Sequence, residues 1–187
     1  MPPKIKTTKE DILNTAFAIV RQQGAQALNA RVVAAELGCS TQPIFSNFAT
    51  MEELKTAVVA EADALYQEYI RREMESGEYP PYKAGGMAYI RFAKDEKELF
   101  KLLYMCDRTG EDIPSEAQSF TQMTDIISKS MGLDENAARL FHLEMWAYVH
   151  GIATMFATGF LDLEWELVSH MLSDVYLGLR KQYGMEG

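Results

Sequence analysis

The side chains able to do chemistry are few and scattered. His142, His150 and His170 show no spacing that would gather them with carboxylates, and Cys39 and Cys106 stand 67 positions apart with no CxxC around either. A metal site, a disulfide framework and a thiolate nucleophile therefore all lack their ligands or partners, and the cysteines read as small apolar fillers. No nucleophile–base grouping, paired-acid motif or Gly-rich phosphate loop stands out, so no catalytic residue and no cofactor is expected. The residues that do form a chemical pattern are neutral donors and acceptors. Ser40, Thr41, Gln42, Pro43, Phe45, Ser46 and Asn47 are crowded into one short segment, with Asn29 and Arg31 before it and Lys55 after it. Such polar groups, held on an exposed helix, suit hydrogen bonding to base edges and phosphates of double-stranded DNA.

The elements that would position them are helices. Thr8 and Asp11 have the spacing of a capping box, followed by Ile12, Leu13, Ala16, Phe17 and Val20 on one face and by Gly24 as a stop. Asn29 opens a short helix with Val33 and Leu37 four apart, and Gly38 closes it. Ser40 is expected to cap a third helix with Ile44 and Phe48 inside. The layout is that of a helix-turn-helix, whose second helix can enter a major groove. Thr50 and Glu53 make another box, opening a long helix striped by Leu54, Val58, Ala62, Leu65 and Tyr69. Pro80-Pro81 and Gly85-Gly86 mark a turn-rich connection, with helix resuming near Met87. Asp107 to Pro114 reads as a loop, Ser115 with Gln118 as the cap of a helix ending at Gly132, Asp134 as the start of one running to about Ala157, and Leu163–Tyr183 as the last. The expected class is all-α, with about nine helices.

Composition agrees with a globular chain of 187 residues, 48% hydrophobic and 24% charged. Charge is uneven. Residues 1–50 hold five basic and three acidic groups, net +2, and residues 51–187 hold 13 and 24, net −11. Two units are expected: a DNA-binding head over 1–50 and a body over 51–187, with the helix from 51 joining them. Met-Pro-Pro-Lys is followed by no apolar run, so no secretory signal is expected. The longest uncharged stretch, Met145–Leu161, has 17 residues, short of the roughly 20 that a bilayer demands. The expectation is a cytoplasmic protein with no membrane partner.

The body is rich in residues that line adaptable cavities, with 17 aromatics and ten methionines after residue 50. Phe92, Phe100, Tyr104, Phe141, Met145, His150 and Met155 are the candidates to hold a small apolar molecule. Val168, Leu172, Val175 and Leu179 repeat at 4, 3 and 4, and Ala147 and Gly151 form a narrow face four apart. These six are the expected seam of a homodimer built as a four-helix bundle.

The run Thr8-Lys-Glu-Asp-Ile-Leu, Gly24, Val33-Ala-Ala-Glu-Leu-Gly-Cys-Ser40, Ile44-Phe45 with Phe48, and Thr50-Met-Glu-Glu-Leu54 resembles the N-terminal domain of the TetR family of transcriptional regulators. Tyr89-Ile-Arg-Phe-Ala93, Glu98-Leu-Phe-Lys-Leu-Leu-Tyr-Met105 and Trp146-Ala-Tyr-Val-His-Gly151 resemble the family's C-terminal type named for its Trp, His and Gly. The resemblance implies a homodimeric repressor that leaves its operator when a small effector binds the body. The chain departs from the family's habit in three places: Phe45-Ser46-Asn47 replaces a common Tyr-x-His, Met51 stands where a Lys often precedes Glu-Glu, and no positive charge occurs between Ser40 and Thr50. Rival readings are a helical enzyme or carrier built on the aromatic body, and an adaptor that keeps the head for protein contacts.

Overall fold

Local chemistry sets the first helix. Thr8 accepts the backbone N–H of Asp11 through its hydroxyl, Asp11 takes back the N–H of Thr8, and α1 runs Lys9–Gln23 from that box. The computed structural model describes residues 7–106 and 114–184, with side chains of the second stretch from residue 120. After a single 3-10 turn at Ala25–Ala27, α2 (Ala30–Glu36) is capped by the Asn29 side chain, which accepts the N–H groups of Arg31 and Val32. Gly38 then turns the chain at φ +62, and α3 spans Gln42–Asn47. Ser40 does not cap α3: Thr41 occupies the N-cap, without a side-chain bond, and Pro sits in the first turn.

The long α4 (Met51–Ser76) starts on Thr50, whose hydroxyl accepts Glu53 N–H, while Glu53 reaches one residue further back than expected, to Ala49 N–H. The expected turn-rich connection is largely helix. Pro81 opens α5 (Pro81–Asp95), and Gly85 and Gly86 lie inside it. Proline is tolerated at a helix start because the amide it lacks has no partner there anyway. Gly86 answers to packing: a Cβ there would stand 3.2 Å from Leu172 Cδ2 and 3.4 Å from Val149 Cγ2.

After α6 (Lys97–Tyr104) the expected loop over 107–113 lies outside the described residues. The structure resumes in α7 (Pro114–Met131), so Ser115 falls within the helix rather than at its cap. Asp134 caps α8 (Glu135–Thr158) by accepting Ala137 N–H, Gly159 ends it at φ +69, and α9 (Trp165–Gln182) closes the fold. The described residues form nine α-helices and no strand.

Two buried clusters organise these helices. The larger takes Ile12, Ala16 and Val20 from α1, Val33, Ile44 and Phe48 from the head, and Leu54, Val58, Phe92, Phe100, Ile152 and Val168 from the rest. Its continuity is what joins α1–α3 to the helices that follow. The smaller gathers Ile127, Ala138, Phe141 and Met145 where α7 meets α8. Lys83 ties α5 to α9, donating to Ser169 Oγ at 2.7 Å and Ser173 Oγ at 2.8 Å.

Candidate functional site

The helix-turn-helix is built by burying one side chain of the six-residue α3 and that of the residue capping its C-terminus. Ile44 and Phe48 are each 1% exposed, and with them fixed, α3 turns Gln42, Phe45 and Ser46 to solvent. Phe45 is a large apolar ring left 49% exposed. Thr41, Pro43 and Asn47 lie half-buried along the rim, and Ser40, Asn29, Arg31 and Lys55 are exposed around it. Two of the polar groups bond backward into their own helix: Ser46 Oγ donates to Gln42 O at 2.9 Å and Asn47 Nδ2 to Pro43 O at 2.8 Å. Those bonds use the Ser46 hydroxyl proton and one of the two Asn47 amide protons, leaving both side-chain oxygens as acceptors. The asparagine at 29 is engaged in capping α2. Lys9 lies over the Phe48 ring and 3.4 Å from Glu53, so its charge is already answered. Arg31 and Lys55 form no ion pair among the described residues.

Of the seven residues expected around a small molecule, four come together, two lie in the smaller cluster and one lies apart. Phe92, Phe100, Tyr104 and His150 come together. Phe100 stands 5.2 Å from Tyr104 and 6.0 Å from His150 between ring centres. Tyr66 meets Phe92 at 5.3 Å and Tyr104 at 5.7 Å. Tyr89 completes the group at 5.2 Å from Phe100, with its hydroxyl 2.9 Å from His150 Nδ1. Trp146 lies flat on His150, ring centres 5.0 Å apart and planes 14° from parallel, and is 43% exposed. Burial lowers the His150 pKa and raises that of Tyr66. Phe141 and Met145 belong to the second cluster, where Tyr82, Tyr176 and Tyr183 surround Phe141. Met155 is half-buried and part of neither.

Tyr66, Tyr89 and Trp146 were not among the expected lining residues. Tyr66 sits one place beyond the Leu65 of the α4 stripe, and only the meeting of α4 with α5 and α6 brings it in.

The structure divides the residues expected at the dimer seam. Val168 is fully buried and Leu172 is 2% exposed, both packed within their own chain, with Leu172 over Gly86. Val175 and Leu179 are half-buried against the Phe141 cluster. Val168 and Leu172 thus face inward within the chain, while Val175 and Leu179 keep part of their surface exposed. Ala147 is exposed and Gly151 half-buried, with nothing within 4 Å of a Cβ at Gly151. Elsewhere on its surface α8 exposes Leu140 (49%) and Leu143 (46%), and α9 exposes Leu167 (48%) and Leu177 (57%).

An all-α chain with a helix-turn-helix at one end and an aromatic-cored helical body at the other is the architecture of a one-component transcriptional regulator. A family model described as the tetracyclin repressor-like C-terminal domain matches residues 82–175, half of the chain, and spans the segments from Tyr89 to Gly151 that carry the second resemblance. The chain belongs to the tetracyclin repressor-like (TetR) family.

Solved structures share the fold. A TetR-like transcriptional regulator from Rhodococcus sp. RHA1 is 14% identical with a TM-score of 0.69, covering 98% of this chain and 99% of that one. A protein of unknown function from the same organism is 23% identical with a TM-score of 0.70, over 94% and 95% of the two chains. The multidrug binding protein EbrR, complexed with imidazole, is 17% identical with a TM-score of 0.56, over 89% and 93%. No curated protein sequence matches the chain. Among the described residues no helix is long and apolar enough to cross a membrane, and no three His, Cys, Asp or Glu side chains are grouped to hold a metal ion.

Proposed function

We propose that the protein is a cytoplasmic homodimeric repressor that reads operator DNA through α3 and releases it when a small apolar effector enters the body. The observation that carries the reading is the outward row Gln42, Phe45 and Ser46 on a helix anchored by Ile44 and Phe48. A helix so held enters a major groove as a rigid unit, and Gln42 and Thr41 at its leading end meet base edges. Ser40, Ser46, Asn47, Arg31 and Lys55 serve the phosphates, and Phe45 contacts apolar base surface such as a thymine methyl group.

Residues 1–50 act as the reading head and 51–187 as the effector and pairing body. Pairing falls to the outer face of α8 and α9, where Leu140, Leu143, Ala147, Gly151, Leu167 and Leu177 would form a twofold four-helix contact. Two heads on a twofold axis read half-sites about 34–36 Å apart. The effector is received by the rings of Phe92, Phe100, Tyr104, Tyr89 and His150, whose composition suits a flat apolar molecule with one hydrogen-bonding group. EbrR, a multidrug binding protein of similar fold, is consistent with a body of this kind holding small molecules.

The test is selection of bound fragments from genomic DNA. Wild type should enrich a short palindromic sequence, and T41A/Q42A should lose that enrichment while keeping helical content and dimer mass. Unchanged selectivity in T41A/Q42A would show that α3 is not the reading helix.

A further inference from the structure

Among the ion pairs between described residues, one joins the first fifty residues to a buried acid of the body. Arg21, in the last turn of α1, forks onto Glu96 at the corner between α5 and α6: Nε donates to Oε2 at 2.6 Å and Nη2 to Oε1. Glu96 is 5% exposed, whereas the Arg21 side chain is 50% exposed. Tyr69 of α4 brings its hydroxyl 3.4 Å from Asp95 Oδ2 and 3.5 Å from Glu96 Oε1. Next to the fork, Gly24 ends α1 at φ +85, and a Cβ there would stand 2.7 Å from Glu98 Oε2. The end of α1 thus lies beside the Glu98 side chain at the start of α6, and it is the positive φ that favours glycine there.

The corner that holds the carboxylate also holds the rings. Glu96 N–H donates to Phe92 O at 2.8 Å, and Glu96 O accepts Phe100 N–H at 2.8 Å. Phe92 and Phe100 lie one turn to either side, both fully buried in the aromatic group. On the head side, α1 shares its core with Val33 and Ile44, so α1, α2 and α3 move together. The head meets the body through the continuous α4, the shared apolar core, the exposed Lys9–Glu53 pair and this fork. Apolar packing is non-directional, whereas the fork, with two parallel hydrogen bonds onto a buried carboxylate, adds a directional constraint on the angle.

We propose that Arg21 and Glu96 are the positioning pair that sets the angle of the head on the body, and that repacking of Phe92 and Phe100 reaches α3 through them. Its consequence for DNA rests on the function proposed above; the placement of the head does not.

The experiment uses the full chain with Cys39→Ser and Cys106→Ser, nitroxides at Glu36→Cys on α2 and Glu166→Cys on α9, and dilution with unlabelled protein so that only distances within one chain are read. The variants are R21Q, E96Q, R21Q/E96Q and R21K. R21Q should melt lowest, because it leaves a buried carboxylate unpaired, and R21Q/E96Q should melt closer to wild type. The distance distribution should nevertheless broaden in all three glutamine variants, with R21K, which keeps the charge and loses the fork, in between. Affinity for the fragment that wild type selects should fall about tenfold in R21Q/E96Q despite its recovered melting temperature.

A distribution in R21Q/E96Q as narrow as that of wild type, or widths that simply follow melting temperature, would overturn the positioning role and leave a stabilising contact. Should R21Q fail to fold, E96Q and the double variant carry the comparison. If wild type selects no fragment, the reading of α3 falls, and the distances alone still decide the role of the pair.

Discussion

His142 and His150 are held in parallel ways. Each brings Nδ1 to a tyrosine hydroxyl of α5, Tyr82 at 3.1 Å and Tyr89 at 2.9 Å. Burial lowers both pKa values below the ordinary 6.5. The unfolded chain therefore takes up these protons at a higher pH than the native one, and the sign follows. Stability is complete above about pH 6.5 and declines as pH falls through that value toward the lower native pKa. The melting temperature should drop between about pH 7.5 and 5.5 by less in H142Q/H150Q than in wild type. Equal drops would mean that the two imidazoles are already solvated in the native state. Tyr69 shows the opposite response: burial, with Asp95 and Glu96 nearby, pushes its phenol up to about 12. It stays a hydrogen-bond donor to those acids over the working range.

At the scale of elements, α3 is six residues long and could not persist by itself, since isolated helices below about 12 residues are marginal in water. Its two anchors supply what propensity lacks. I44A should cost about 2–5 kcal/mol, the usual range for emptying a fully buried aliphatic site, read as a lower midpoint in urea. Because Ile44 shares its cluster with Val20 and Val58, the loss should appear in the unfolding of the whole chain rather than as fraying of the head. The helix is also uncharged from Ser40 to Thr50, and Lys9 already faces Glu53. Few counterions would then be released on binding, and the slope of log affinity against log salt should be no steeper than about −8 per dimer. Titration of a selected fragment across salt concentrations measures it.

For the whole molecule, the proposed pairing uses the outer faces of α8 and α9. L143E/L177E places a carboxylate in the proposed contact on each helix and should give a monomer in sedimentation, still folded because both positions are solvent-exposed within one chain. The melting temperature of wild type should rise with protein concentration, and that of the variant should not. V168E would instead unfold the protomer, because Val168 lies wholly inside it. The contrast between these substitutions separates a contact with a partner from packing within the chain. The acidic body, net −11 against +2 for the first fifty residues, would favour an arrangement with the heads toward the duplex and the body away from it.

The sequence by itself determined what depends on near neighbours. The caps at Thr8, Asn29, Thr50 and Asp134 act within three residues, so they were legible, as were the helical stripes of α1 and α4 and the inward Ile44 and Phe48. Tertiary structure decided what lies against each face. The 4-3-4 stripe of Val168, Leu172, Val175 and Leu179 announces a buried side of α9, and periodicity carries no mark of whether a partner or the same chain covers it. Pro81 and Gly86 read as breakers because the rule for breaking is local. The reasons they are tolerated, an amide left free at a helix start and the approach of Leu172, belong to position and to a residue 86 places away. The division of Phe141 from Phe100, and the meeting of Arg21 with Glu96 across 75 residues, have the same cause: apolar and charged side chains state that they need a neighbour, and only the packed chain selects which one.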